Sequence, residues 1–415
     1  MFLWCSTLLG GIVALVWVVR FIALGPILAR REVLDVHSST PLPTPPPSVS
    51  VIVAARNEEH HIAACVADLL AQDYPHLQLI VVDDRSTDDT PAVLGKLAEG
   101  GDARLRVLTV ERLPEGWFGK PHAMHLGVAH ATGEWLLFTD ADCRFDSPRA
   151  VSIAVAAAVK AQADFLTMIP MLDAPTWCER MIQPVCALAL MFWFQPTQVN
   201  DDRSSRAYAN GAFMLIRRET HRAIGGHEAV RGAMNEDIQL ARLTKRGGWR
   251  LRVVENQGLC RTRMYPSFVA AWRGWSRIFT GSLGTSRRTL TAAALVLVFS
   301  MGPWIGLLGA AAIHLAGGSD GVLAPHRLDV ANLAVWGCSV LLMQWTIGRA
   351  YAVTGFGRWW SLGYFPAASI VLGILFNATL KTAGATTTVW RGTAYRAGAG
   401  RIAHEPLSPV GEKAG

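Results

Sequence analysis

Two long stretches nearly empty of charge decide what this chain can fold into. Residues 1–29 carry one charged side chain, Arg20, and residues 290–380 carry five: Asp320, Arg327, Asp329, Arg349 and Arg358. The rest of the 415 residues is charged at about the density of an ordinary soluble domain. Apolar runs of this length match the hydrocarbon thickness of a bilayer. The chain therefore reads as a globular domain held between membrane segments, which excludes a disordered, collagen-like or coiled-coil protein.

The first block, FLWCSTLLGGIVALVWVV, resumes after Arg20 as FIALGPILA and ends at Arg30-Arg31. The basic residues follow the apolar run, so residues 1–30 fit a retained anchor with a cytoplasmic C-terminal end better than a cleaved signal peptide. Residues 31–47, ending in PLPTPPP, form a Pro-rich linker. The second block, 290–381, contains three apolar segments at about 290–317, 330–348 and 360–380. Ahead of it, residues 263–289 mix Trp272, Arg273, Trp275, Arg277, Arg287 and Arg288, the pattern of an amphipathic segment at headgroup depth.

Topology signals conflict at the tail. One anchor and three spans leave residues 382–415 outside, whereas Arg391, Arg396, Arg401 and Lys413 outnumber Glu405 and Glu412 and favour the inside. The net charge of +7 fits cations facing anionic lipid. No aromatic-basic motif points to nucleic acid as a partner. Seven scattered cysteines form no CxxC pair, so neither a disulfide framework nor a zinc site is expected.

Residues 48–262 have a different texture. Short apolar runs rich in branched residues, at 49–55, 77–83, 104–110, 134–140 and 164–169, alternate with helical stretches at 58–72, 88–99, 120–131 and 148–160. Strands alternating with helices predict an α/β domain whose parallel sheet is covered on both faces. Ligands in such folds bind outside the carboxyl ends of the strands, so the polar residues just after each run are the ones to weigh.

Three acidic motifs stand there. After the second run comes Asp83-Asp84-Arg85-Ser86-Thr87-Asp88. A helix cap accounts for Ser86, Thr87 or Asp88 but leaves Asp83 and Asp84, too costly to bury without a task. After the fourth run, Asp140 and Asp142 sit two apart and, in extended chain, point the same way. They suit either a turn or one hard cation completed by diphosphate oxygens and water. Asn235-Glu236-Asp237 opens a helix at 236–246. Asn235 serves as its cap, and an acid there is either a dipole partner or a general base for an acceptor hydroxyl. Other features have plain readings. His122 and His125 lack a third metal ligand, Gly225-Gly226 ends a helix, and 185–194 is too short to span. Asn210-Gly211-Ala212 either packs or leaves room for a sugar.

These motifs, with VSVIVAARNEEHHI, GKPHAMHLGVAHATGEWLLFTDADC, YANGAFMLIRRE and NEDIQLARLTKRGG, make residues 48–262 resemble the GT-A catalytic domain of family 2 glycosyltransferases. With its flanking membrane segments the chain is most similar to the lipid-glycosylating branch, which includes ceramide glucosyltransferases and bacterial carotenoid glycosyltransferases. The resemblance implies a Rossmann-like, mixed, mostly parallel sheet with helices on both faces, plus transmembrane helices at either end. It further implies that Ala54, Arg56, Glu58 and Asp84 line a nucleotide pocket and that Lys120, from the family's GK motif, approaches the donor. Asp140 and Asp142 would hold Mg2+ or Mn2+, and Asp140 would also face the nucleotide. Asp237 would be the base of an inverting transfer of one sugar from a nucleotide-sugar donor, UDP-linked, to a membrane lipid. Glu236, Trp275 and Arg277 would stand on the acceptor or diphosphate side. The stretch Ala271–Arg277 departs from the (Q/R)xxRW pattern of many relatives, and an interfacial helix explains Trp275 and Arg277 equally well. The implied protein is a multi-pass cell-membrane enzyme with its catalytic domain in the cytoplasm. A processive polysaccharide synthase and a non-catalytic nucleotide-sugar-binding membrane protein are the competing readings.

Overall fold

A computed structural model of the chain describes residues 1–265, 267–317 and 323–386, together with the backbone of three tail strands at 388–390, 393–398 and 401–405. Asp320, Arg391, Glu412 and Lys413 lie outside the described residues. The chain divides into an α/β unit that includes Arg31–Asp173 and Met191–Met264, and a helical unit of Met1–Arg30, Ala174–Leu190 and Tyr265–Ala385.

In the α/β unit the strands are β1 (Val33–Asp35), β2 (Val49–Ala55), β3 (Leu77–Asp83), β4 (Leu105–Thr109), β5 (Trp135–Asp140), β6 (Cys143–Phe145), β7 (Phe165–Ile169), β8 (Met171–Leu172), β9 (Met214–Arg217), β10 (Leu251–Gln257) and β11 (Cys260–Thr262). Eight of them form one sheet in the order β1-β10-β7-β9-β5-β2-β3-β4, and β6-β11-β8 form a second, smaller one. The large sheet is parallel except for β9, which runs antiparallel to both β5 and β7. This is a mixed α/β GT-A-like sheet.

Its central strands are mostly apolar because both faces are covered. On one face Val51, Val53, Leu79, Val81 and Leu137 join one core cluster; on the other Ile52, Ile80, Val82, Leu136 and Phe138 join a second. Successive side chains of a strand point to opposite faces, so alternate residues feed alternate cores. Helix Ile62–Leu70 seals the first face with Ile62, Cys65, Val66 and Leu69, an i, i+3, i+4, i+7 stripe. Helix Gly119–His130 covers the second with Ala123 and Met124. It comes close because Gly127 has no side chain; a Cβ there would run into Ile52.

Observed strands and helices fall within a few residues of the expected runs, with instructive differences. The expected helix at 58–72 is shorter, Ile62–Leu70, because Asn57–Glu59 are tied to the next loop. The stretch expected as a linker contributes the edge strand β1, paired in parallel with β10.

Among the described residues, four helices of the helical unit are long and apolar enough to cross a membrane: Phe2–Ala29, Ser286–Ala316, Leu328–Val353 and Arg358–Thr382. They coincide with the four expected apolar segments. Small residues let them approach. Trp336 lies against Gly10 and Gly306, where added Cβ atoms would collide with its ring. Residues Leu297–Met301 form a π-helical turn just before Gly302-Pro303, where proline removes a backbone donor. Residues 185–194 fall mostly in the 17-residue helix Trp177–Trp193.

Candidate active site

Ala54, Arg56, Glu58, Asp84, Asp140 and Asp142 lie at or just after the carboxyl ends of β2, β3 and β5. Strand register puts Ala54 opposite Val82 on one side and Asp140 on the other. The motifs that follow these strands therefore emerge at one level.

Asp84 is 3% exposed and could not stay charged there alone. Arg85 donates to it from Nε at 2.8 Å and from Nη2 at 3.2 Å, and the Arg56 guanidinium stands 3.9 Å away. Gly119, ahead of Lys120, has to be glycine here, since a Cβ would run into the Asp84 carboxylate. The residues expected to cap the next helix do something else. Ser86 Oγ accepts from the Asn57 amide, and Asn57 Oδ1 accepts from the Thr87 amide, so two neighbouring loops are stitched together. Asp88 accepts from the Thr90 amide at 3.0 Å, and the helix starts at Thr90 rather than at 88. Glu58 is buried, its amide donating to Thr90 Oγ1.

Lys120 sits in the first turn of helix Gly119–His130 and joins two motifs. Its Nζ is 2.6 Å from Asp140 Oδ1 and 2.9 Å from Glu236 Oε1. Burial by itself would lower the ammonium's pKa, but Asp140 and Glu236 outweigh burial and hold it above its ordinary value.

Asp237 is fixed at both oxygens. Gly211 N–H donates to Oδ2 at 3.0 Å and Ile238 N–H donates to Oδ1 at 2.7 Å. Burial first, and the Glu236 charge second, push its carboxyl up to about 7, against the opposing pull of Lys120. A carboxylate that titrates near neutrality can take a proton at physiological pH. Asn235, expected as the helix cap, makes no side-chain capping hydrogen bond. The Asn210-Gly211-Ala212 turn closes on itself, with Asn210 Oδ1 accepting from the Ala212 amide, and sets Gly211 against the acids. A Cβ at Gly211 would lie 2.8 Å from Lys120 Nζ.

Asp142 lines an open cleft of about 180 Å³ with His60, His61, Arg144, Asp173 and Arg261. Among the described residues no group of three or more His, Cys, Asp or Glu could hold a metal ion alone. Asp140 and Asp142 do fit a hard cation whose shell is completed by other oxygens. An ammonium 2.6 Å from Asp140 already answers the demand for positive charge at that carboxylate.

Sequence reasoning missed the bridging role of Lys120 and the clearance at Gly119 and Gly211. It also missed a buried histidine pair, His221 Nε2 3.0 Å from His227 Nδ1, packed against the Phe138 ring. His122 and His125 pack against the Trp117 ring. Gly225 and Gly226 take left-handed backbone just after helix Arg218–Ala223, as expected of a helix end. Trp275 and Arg277 belong to the helical unit, in helix Phe268–Leu283. There Trp275 is buried between Tyr265 and Phe279, at ring separations of 6.3 Å and 5.9 Å.

Residues 50–225 match the family model of glycosyl transferase family 2. The chain is 27% identical over 263 residues to the 4,4'-diaponeurosporenoate glycosyltransferase of Staphylococcus aureus, covering 63% of this chain and 68% of the relative. Its fold is similar to that of a mannosyltransferase from Pyrobaculum calidifontis in complex with GDP-Man and Mn2+. The TM-score is 0.51 and the identity 19%, over 90% of this chain and 99% of that one. A GT-A-like sheet, with acids at its strand ends, thus carries a glycosyl transferase family 2 domain, and the chain is a glycosyltransferase.

Proposed function

We propose that the chain transfers one sugar, with inversion, from a nucleotide-sugar donor of the UDP class to a lipid acceptor in the cell membrane. The observation that carries this reading is Asp237: a carboxylate with both oxygens fixed by backbone amides, raised to about 7, next to the Lys120–Asp140 pair. Asp237 takes the proton of the acceptor hydroxyl as that oxygen attacks the anomeric carbon. Its fixed geometry removes the need to search for the right rotamer at the moment of attack. Ala54, Arg56, Glu58 and Asp84 hold the nucleotide, and Lys120 places a positive charge beside the diphosphate.

Asp140 and Asp142 would hold a Mg2+ or Mn2+ ion, which when bound offsets the charge growing on the leaving diphosphate. Trp275 and Arg277 are assigned to the acceptor or diphosphate side. The helices at 1–30 and 290–381 keep the domain at the membrane, with the catalytic unit in the cytoplasm. The lipid acceptor is favoured by the four apolar helices and by the name of the staphylococcal relative, whose substrate is a carotenoid acid.

The test is product analysis. Full-length protein in native membranes, given labelled nucleotide sugar, is expected to place label in the organic extract. Asp237→Asn should lower turnover by about 10²–10⁴-fold. Label in a long insoluble polymer would replace this reading with a processive synthase. Full turnover by Asp237→Asn would remove Asp237 from the mechanism.

A further inference from the structure

Lys120 has two carboxylate partners that differ in kind. Glu236 is buried, its side chain 5% exposed, whereas the Asp140 side chain is 34% exposed and open to a ligand. A carboxylate as enclosed as Glu236 is costly to keep charged without a permanent cation beside it. Asp140 has no such need, because solvent or a ligand can satisfy it. Gly211 leaves the bridging ammonium room between them: a Cβ there would lie 2.8 Å from Lys120 Nζ.

We propose that Glu236 is a positioning residue that lets Lys120 exchange places with a divalent cation at Asp140. In this scheme Lys120 guards Asp140 in the empty site. When a cation takes the Asp140 oxygen, the ammonium gives up that contact and stays anchored on Glu236, beside the space for the diphosphate. The contact that breaks is the exposed one and the contact that stays is the buried one. The inference rests on the cation site proposed above, but it assigns Glu236 a task through Lys120 rather than on the acceptor.

Mn2+ binding to the detergent-solubilised full-length protein, without nucleotide, tests it by electron paramagnetic resonance. Glu236→Gln should weaken Mn2+ binding about tenfold, because Lys120 then has only Asp140 to hold. Lys120→Met should strengthen it, because the competing ammonium is gone. In the Lys120→Met background, adding Glu236→Gln should cost much less than tenfold. A loss of equal size in both backgrounds would make Glu236 a direct contributor to cation binding and overturn the exchange. So would Mn2+ binding unchanged in Glu236→Gln while Asp142→Asn abolishes it. If wild-type protein binds no Mn2+ at all, the cation site itself is wrong, and the exchange falls with it.

Discussion

At Asp237 the fold accepts an instability that its proposed chemistry needs. Its carboxyl is raised from an ordinary 3.8 to about 7, so the folded state holds a proton more tightly than the unfolded chain. The stability this contributes is present below pH 4 and is lost as pH rises through 7. Two outcomes follow. Activity limited by Asp237 should fall about tenfold per unit below pH 7 in a kcat/KM profile. Asp237→Asn, which removes the charge but keeps the shape, should melt a few degrees higher than wild type at pH 8 and about level with it at pH 4, in thermal unfolding of the solubilised protein. Higher stability at pH 4 than at pH 8 relative to wild type would reverse the sign and disprove the shift. Gly211 is the other residue-scale test. Gly211→Ala pushes a methyl toward Lys120 Nζ, so transfer should drop at least about tenfold with little change in the melting temperature. The acids were legible in the sequence because Asp84, Asp140 and Asp142 follow buried strands, where ligands of such a sheet bind, and Asp237 opens a helix. Lys120 meeting Glu236 was not, since 116 positions separate them and only the fold brings them together.

Among the elements, what could be read from sequence depended on burial on both faces. Strands β2, β3, β5 and β7 are mostly apolar and buried on both faces, and were expected within a residue or so. Strand β9 has four residues, ends in Arg217 and follows a turn, so nothing set it apart. Strand β1 has three residues and sits between a helix end and the Pro-rich stretch that begins at Pro41. Yet β9 gives the sheet its mixed character, and the turn just ahead of it delivers Gly211 to the acids. The central strands should tolerate little change. Leu137→Ala on β5 deletes a fully buried side chain just ahead of Asp140, and should cost about 2–5 kcal/mol of stability, read from denaturant unfolding of the solubilised protein. A loss under 0.5 kcal/mol would mean the core around β5 is not packed as described.

For the molecule as a whole, the charge-poor blocks that constrained the sequence are the four long apolar helices. Their polar contacts are internal: Ser6 and Thr7 reach Asn332, and Ser339 reaches the Gly10 carbonyl. That pattern suits helices whose surroundings offer no water. If all four helices cross, residues 1 and 382–415 fall on the same side of a membrane, so the proposed cytoplasmic catalytic unit leaves the basic tail on the opposite side from the one its charge favours. The sugar and the lipid were not legible, because donor and acceptor choice rests on the shape of loops rather than on motifs. Mass spectrometry of lipid extracts tests the central claim directly, comparing cells that express the wild-type chain with cells that express Asp237→Asn. The account predicts one lipid class heavier by a sugar residue with the wild type and absent with the variant. No such lipid in either extract, or the same glycolipid in both, would contradict it.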